Sequence, residues 1–390
     1  MNPHGLSPHE FESCAYASSA TPALSLNFTI PTTKVKMKLG IIGFPQSGKT
    51  TIFNAVTLGN APTTASAGRF EVHTAVVDVP DPRVDQLSAM FKPKKTIYAK
   101  VTYADIAGLE GGSAKSGISG QLLNQLTQMD GLIHVVRCFP DENVPHPSGS
   151  VDPARDIAGM DSELLLNDLI AVERKLERLV EERKKGGTDK VLNERQTALF
   201  TRLHEILSAE KPLRGTDISA EEERLLSGFG LLTRKPLLVL LNLGEGQAAP
   251  DLGDVTACPV IALQGKLEME IAQLPADDAA VFMQEYGIQE LSLNRMIKAS
   301  YDLLNQQSFF TVGEDEVRAW TTKRSATAVE AAGEIHTDLQ KGFVRAEVVA
   351  CQDLLELGGM AEAKAKAKLR LEGKEYIVKD GDIVHIRFNI

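Results

Sequence analysis

The sequence predicts an α/β protein: a mainly parallel sheet covered on both faces, an inserted antiparallel helical hairpin, and a small α+β domain at the C-terminal end. Three observations carry this. Short apolar runs alternate with helical stretches from residue 38 to 263, as parallel strands joined by helical crossovers require. A heptad stripe interrupts the alternation between residues 165 and 206. After about residue 305 the chain turns strand-rich.

A chain of 390 residues exceeds one compact core, so two or three domains are expected. The net charge of −10 argues against general affinity for nucleic acid or membrane surfaces, and no specific DNA binding is expected. Cys14, Cys138, Cys258 and Cys351 have no metal-knuckle or CxxC spacing, which fits a reducing cytoplasm. No apolar stretch approaches the ~20 residues that span a bilayer. Residues 1–36 are rich in Ser, Thr, Pro and Ala and lack the features of a secretory signal. They read as a disordered extension without a fold of its own; the alternative is a functional arm, although nothing periodic is present.

From residue 37 the elements follow in order. "KLGIIGF" (38–44) is a buried strand, and 48–58 carries Ile52, Phe53 and Val56 at helical spacing. "FEVHTAVVDV" (70–79) and "TIYAKVTYADI" (96–106) alternate as neighbouring strands. "GLIHVVRCF" (131–139), "PLLVLLN" (236–242) and "CPVIAL" (258–263) complete the sheet. Leu165, Leu169, Val172, Leu176 and Leu179 recur at spacings of 4, 3, 4 and 3, Gly186-Gly187 breaks the run, and Leu199, Leu203 and Ile206 resume it. This predicts a hairpin with its turn near 185–189, either projecting with a basic tip (Arg183, Lys184, Lys185) or lying flat on the main domain. The last part holds strand-like runs, a helix over 326–335 and a hairpin turn at Lys379-Asp380-Gly381-Asp382.

Gly43 to Thr50, "GFPQSGKT", matches G-x-x-x-x-G-K-[ST] between a predicted strand and a predicted helix. Backbone N–H groups of such a loop form an anion nest, and the following helix offers its positive end. Phe44, Pro45, Gln46, Ser47 and Gly48, with Lys49, Thr50 and Thr51, are therefore expected to hold nucleotide phosphates. Lys49 would set its charge on the β- and γ-phosphates, and Thr50 would ligate Mg²⁺. Asp105-Ile106-Ala107-Gly108 ends a strand 55 residues after the loop; Asp105 would hold Mg²⁺ through water and Gly108 would sense the γ-phosphate. Asn242-Leu243-Gly244-Glu245 ends another strand, where GTP-binding P-loop proteins carry Asn-Lys-x-Asp. Asn242 can bond a purine, while Glu245 alters the carboxylate that reads guanine.

These motifs, with "VPDPR" (79–83), "HVVRCF" (134–139), "VDPARDI" (151–157), "EMEIAQLP" (268–275), "EVRAW" (316–320) and "GEIHTDLQKGFVRAEV" (333–348), resemble the Obg-like ATPases of the YchF type over essentially all of 37–390. The resemblance implies a P-loop GTPase-like domain (37–305) with a coiled-coil arm inserted at 160–210, and a β-grasp-like TGS domain (306–390). It also implies ATP preferred over GTP, slow hydrolysis with Mg²⁺ and association with the ribosome. Leu109 stands where many GTPases keep a catalytic Gln. The chain departs from the family at 60–74, where Arg69 occupies the position of a Mg²⁺-sensing Thr, and at 110–120. Gln264-Gly265 replaces a Ser-Ala base-contact pair. Two other readings stand beside this one: a nucleotide-responsive ribosome- or RNA-binding module with negligible hydrolysis, and a GTPase.

His134 and Cys138, on one core strand, read as structural residues; His73 and His336 are placed near loops, and the sequence alone does not say what they bond. Lys364, Lys366, Lys368 and Arg370 form a basic run that either touches RNA phosphates or is a solvated face.

Overall fold

The computed structural model describes residues 37–59, 72–106, 118, 120–186, 189–285, 288 and 290–389. The expectations for 1–36, for Arg69, and for Gly108, Leu109 and 110–117 lie outside the described residues.

Two six-stranded sheets organise the described residues. The first is built from β1 (Lys38–Ile42), β2 (His73–Asp78), β4 (Lys100–Asp105), β5 (Gly131–Arg137), β6 (Leu237–Asn242) and β7 (Val260–Leu263), in the order β2-β4-β1-β5-β6-β7. Its neighbours run parallel except β2, which lies antiparallel on β4 at the edge. α1 (Lys49–Thr57), α2 (Pro82–Phe91), α3 (Gly120–Thr127), α4 (Pro153–Lys185), α5 (Lys190–Ser208), α6 (Ala220–Leu226), α7 (Gly265–Gln273), α8 (Ala276–Glu285) and α9 (Ser292–Leu303) fill the connections. β3 (Lys95–Ile97), β8 (Gln306–Thr311), β9 (Glu316–Lys323), β10 (Phe343–Ala350), β11 (Arg370–Glu372) and β12 (Asp382–Phe388) form the second sheet, with α10 (Ala328–Ile335), α11 (Thr337–Lys341), α12 (Cys351–Leu357) and α13 (Met360–Ala365) between its strands.

The single strand read over 96–106 is two strands in two sheets. β3 pairs parallel with β9, Lys95 opposite Glu316, whereas β4 pairs with β1 and β2. The chain crosses at Tyr98–Ala99, where Ala99 O accepts from Val79 N at 2.8 Å. The core side of this stretch begins at Tyr98 and Ala99 and continues with Val101 and Tyr103 of β4, whereas Lys95 and Thr96 of β3 are exposed. That core joins Leu39, Ile41, Val84 and Leu87 to Phe310, Val317, Val349 and Ile383 without a break.

Both Asp-Pro pairs of the sequence are helix starts. Asp81 and Asp152 cap α2 and α4, accepting from Arg83 N and Arg155 N at 3.0 Å, with proline in the first turn. Arg83 then leaves α2 to reach the second sheet: it donates to Asp380 at 2.8 Å and lies 5.1 Å from the centre of the Phe310 ring. Asp380 also accepts from Ser308 N at 3.0 Å. The Lys379–Asp382 segment does turn, with Gly381 at φ 84, but it joins no paired strands: β12 lies between β10 and β8.

α4 is one helix of 33 residues, about 50 Å long at the usual rise. Its first turns bury Met160 and Leu164 with Ile42 and Leu132 of the sheet. Farther out, Val172 and Leu179 pack with Leu199, Phe200 and Leu203 of α5, joined by Leu213, Leu226 and Leu231 of the returning chain. Asp168, fully buried midway along α4, accepts from Leu232 N, Thr233 N and Thr233 Oγ1, each at 2.7 Å. Burial raises its pKa while those donors oppose the rise. Gly186 ends the helix in the left-handed region beside the exposed Lys184 and Lys185.

Candidate nucleotide-binding site

The carboxyl end of β1 opens directly into the loop 43–48 and then α1. Gln46 takes φ 62, a conformation that non-glycine residues rarely adopt and that concentrates at functional loops. α1 starts at Lys49 without a side-chain cap and without an acidic residue in its first turn, leaving its positive end for an anion. Lys49 is almost fully buried; its Nζ donates to Gly43 O at 3.0 Å and Phe44 O at 2.9 Å. Burial pulls its pKa down to about 8, against the opposing charge of Asp105. Thr51 follows on the helix, half-buried.

Thr50 Oγ1 donates to Asp105 Oδ2 at 2.8 Å, which brings the start of α1 against the end of β4. These are two oxygens of the kind a hard divalent cation takes, and Asp105 is buried without an ion-pair partner among the described residues. On that donor chemistry the pair fits Mg²⁺.

Asn242, expected from the sequence to bond a purine, is buried and bonded to backbone on both sides. Its Nδ2 donates to Ser47 O at 3.0 Å and its Oδ1 accepts from Gly265 N at 3.1 Å, so one buried amide ties the phosphate loop to the start of α7. The glycines on either side are the space it needs. A Cβ on Gly48, at φ +93, would lie 2.2 Å from Asn242 Nδ2, and one on Gly265 would lie 2.7 Å from Oδ1. Leu243 turns into the core and donates its N–H to Leu263 O at 2.8 Å, whereas Glu245 is exposed. Gln264 precedes α7, its Oε1 buried without a hydrogen-bond partner among the described residues.

Sequence reasoning missed Gln247. Its Oε1 accepts from Gly244 N at 2.9 Å and its Nε2 donates to Cys138 O at 2.7 Å, setting the 243–247 loop against the end of β5. A glutamine three residues beyond Gly244 carries no motif that could have marked it. His134 is buried as expected but not satisfied: Nε2 has no partner among the described residues. Burial, with the charges of Lys49 and Arg214, holds its pKa down to about 3, so the ring is neutral. It meets Phe44 edge-on, with centroids 6.5 Å apart. Burial pushes the Cys138 thiol up to about 12, which keeps it inert. Of the basic run, Lys368 pairs with Asp353 at 2.9 Å and Arg370 with Glu372 at 3.1 Å.

Comparison with known proteins agrees with this fold. The model YchF-GTPase_C, described as a protein of unknown function, matches residues 306–389, and one described as a 50S ribosome-binding GTPase matches 38–175. The ribosome-binding ATPase YchF of Bacillus subtilis (strain 168) is 41% identical over 367 residues, covering 90% of this chain and 99% of that protein. The protein of that name from Escherichia coli O157:H7 is also 41% identical over 367 residues, with the same coverage. The solved structure of the Schizosaccharomyces pombe YchF GTPase superposes with a TM-score of 0.78 at 31% identity, covering 90% of this chain and 97% of that one. The fold is thus the P-loop GTPase-like α/β fold with the YchF C-terminal domain.

Proposed function

The chain belongs to the YchF family, and we propose from that premise that it is a cytoplasmic ATPase of low turnover that prefers ATP to GTP, uses Mg²⁺ and works on the ribosome. One observation carries the reading: the Asn242 amide joins the phosphate loop at Ser47 to the base-side loop at Gly265. This supports a triphosphate cradle and a purine-facing edge within one site. ATP is preferred because Glu245 stands where guanine recognition needs a shorter, fixed carboxylate, and because it is exposed.

Lys49 would leave the loop carbonyls to neutralise phosphate charge, and α1 would present its first N–H groups to the β-phosphate. Bound at Thr50 and Asp105, Mg²⁺ would supply charge neutralisation on the β- and γ-oxygens. Gly108 is the proposed γ-phosphate sensor. Leu109 has no amide to orient water, which supports slow turnover. Domain limits of 37–305, with the arm, and 306–390 are part of the same proposal. The basic residues Lys184 and Lys185 at the end of α4 are exposed and suit ribosomal RNA.

The test is calorimetric titration with ATP and GTP in Mg²⁺, then steady-state hydrolysis with and without purified ribosomes. Tighter ATP binding and ribosome-dependent turnover are expected. Tighter GTP binding would overturn the nucleotide choice, and no turnover in either condition would overturn the enzyme.

A further inference from the structure

Gly159 lies inside α4, six residues past its start, where glycine is the poorest residue short of proline. The space above it is taken by the phosphate loop. A Cβ on Gly159 would stand 3.3 Å from Phe44 Cζ and 3.5 Å from Cε2. The Phe44 ring also meets His134 of β5 edge-to-face, with centroids 6.5 Å apart, so it touches both a helix and a strand. The backbone of Phe44 is itself part of the loop's geometry: its carbonyl accepts Lys49 Nζ at 2.9 Å and Ser47 N at 3.3 Å. Two residues farther along α4, Asp161 holds Arg214 at 2.9 Å and pins this part of the helix to the returning chain.

We infer that Gly159 is a positioning residue for the phosphate loop: its missing side chain is the seat on which Phe44 sets the loop. The inference rests on the nucleotide-site reading above and adds a residue of the arm helix to it. A side chain at 159 displaces the ring from this seat, and the displacement passes through the Phe44 carbonyl to the lysine that meets the phosphates. The seat is a matter of shape, so a smaller residue at 44 should restore room for a larger one at 159.

The experiment is a double-mutant cycle read by Mg·ADP affinity and melting temperature on the full chain. Gly159→Val is expected to weaken Mg·ADP about tenfold and to lower the melting temperature by a few degrees, because overpacking a filled seat outweighs valine's small advantage over glycine in a helix. Phe44→Leu combined with Gly159→Val is expected to bind within about threefold of Phe44→Leu alone, a non-additivity that contact requires. Wild-type affinity in Gly159→Val, or no rescue by Phe44→Leu, overturns the inference. Should Gly159→Val melt much earlier than that, the pair still decides: rescue of both affinity and melting temperature supports the seat, and loss of affinity in the pair overturns it. Failure of the wild-type chain to bind Mg·ADP at all would instead overturn the nucleotide-site reading.

Discussion

Thr50 Oγ1 and Asp105 Oδ2 stand 2.8 Å apart, although 55 residues separate them in the chain. The pairing sets a hydroxyl from the start of α1 against a carboxylate from the end of β4. Thr50→Ala and Asp105→Asn should each weaken Mg²⁺-dependent nucleotide binding about 10–100-fold. A fluorescent nucleotide titrated with and without Mg²⁺ checks this. The loss must vanish with chelator, because the pair acts through the cation.

Asn242→Ala leaves Ser47 O and Gly265 N without their buried partner. A stability loss of about 2 kcal/mol is expected in urea unfolding, together with weaker binding of both purine nucleotides. An unchanged unfolding midpoint would show that the amide is not the tie between the two loops.

His134 supplies a pH dependence whose sign is set by its environment. Unfolded, the ring takes up a proton near pH 6.5; folded, burial delays this to about 3. Its contribution is therefore complete above pH 6.5 and is lost as pH falls toward 3, at about 1.4 kcal/mol per pH unit. Subtracting the pH profile of His134→Gln from that of the native chain isolates it, and parallel profiles would refute it.

Arg83 links α2 to Asp380 of the second sheet through a pair that is partly solvent-exposed on both sides. Its strength is accordingly modest: a coupling of about 0.5–1 kcal/mol between Arg83→Ala and Asp380→Ala, shrinking with added salt. Coupling that persists at high salt would mean that the Phe310 contact, not the charge, is the main link.

Much of this architecture can be read in the residues. Strand–helix alternation located every strand of the first sheet, and the heptad stripe located the α4–α5 turn at Gly186. The loop 43–50 and Asp105 stood out because their spacing matches a phosphate-binding pattern, and the structure brings Thr50 and Asp105 into contact. What escaped was tertiary: the transfer of 95–97 to the other sheet, the Asn242 tie and the brace of Gln247. Each depends on which distant backbone lies alongside, and a period of two or 3.6 residues says nothing about that. Gly159 is intermediate. A glycine within a helical run is a visible anomaly, but only the Phe44 ring gives it a reason.

The pairing of β3 with β9 bears on how the protein is made. Lys94 meets Asp315, its partner beyond the strand end, 221 residues later in the chain. At ~5–20 residues per second, a ribosome synthesising this chain needs roughly 10–40 s to deliver that partner after β3 has emerged. Throughout that interval Val84 and Leu87 lack Phe310, Val317 and Ile383, against which they are finally buried. The nucleotide half is therefore not self-sufficient during translation: a nascent chain halted before residue 306 should be protease-sensitive across 82–99 and should hold its nascent state for chaperones until the last quarter is released.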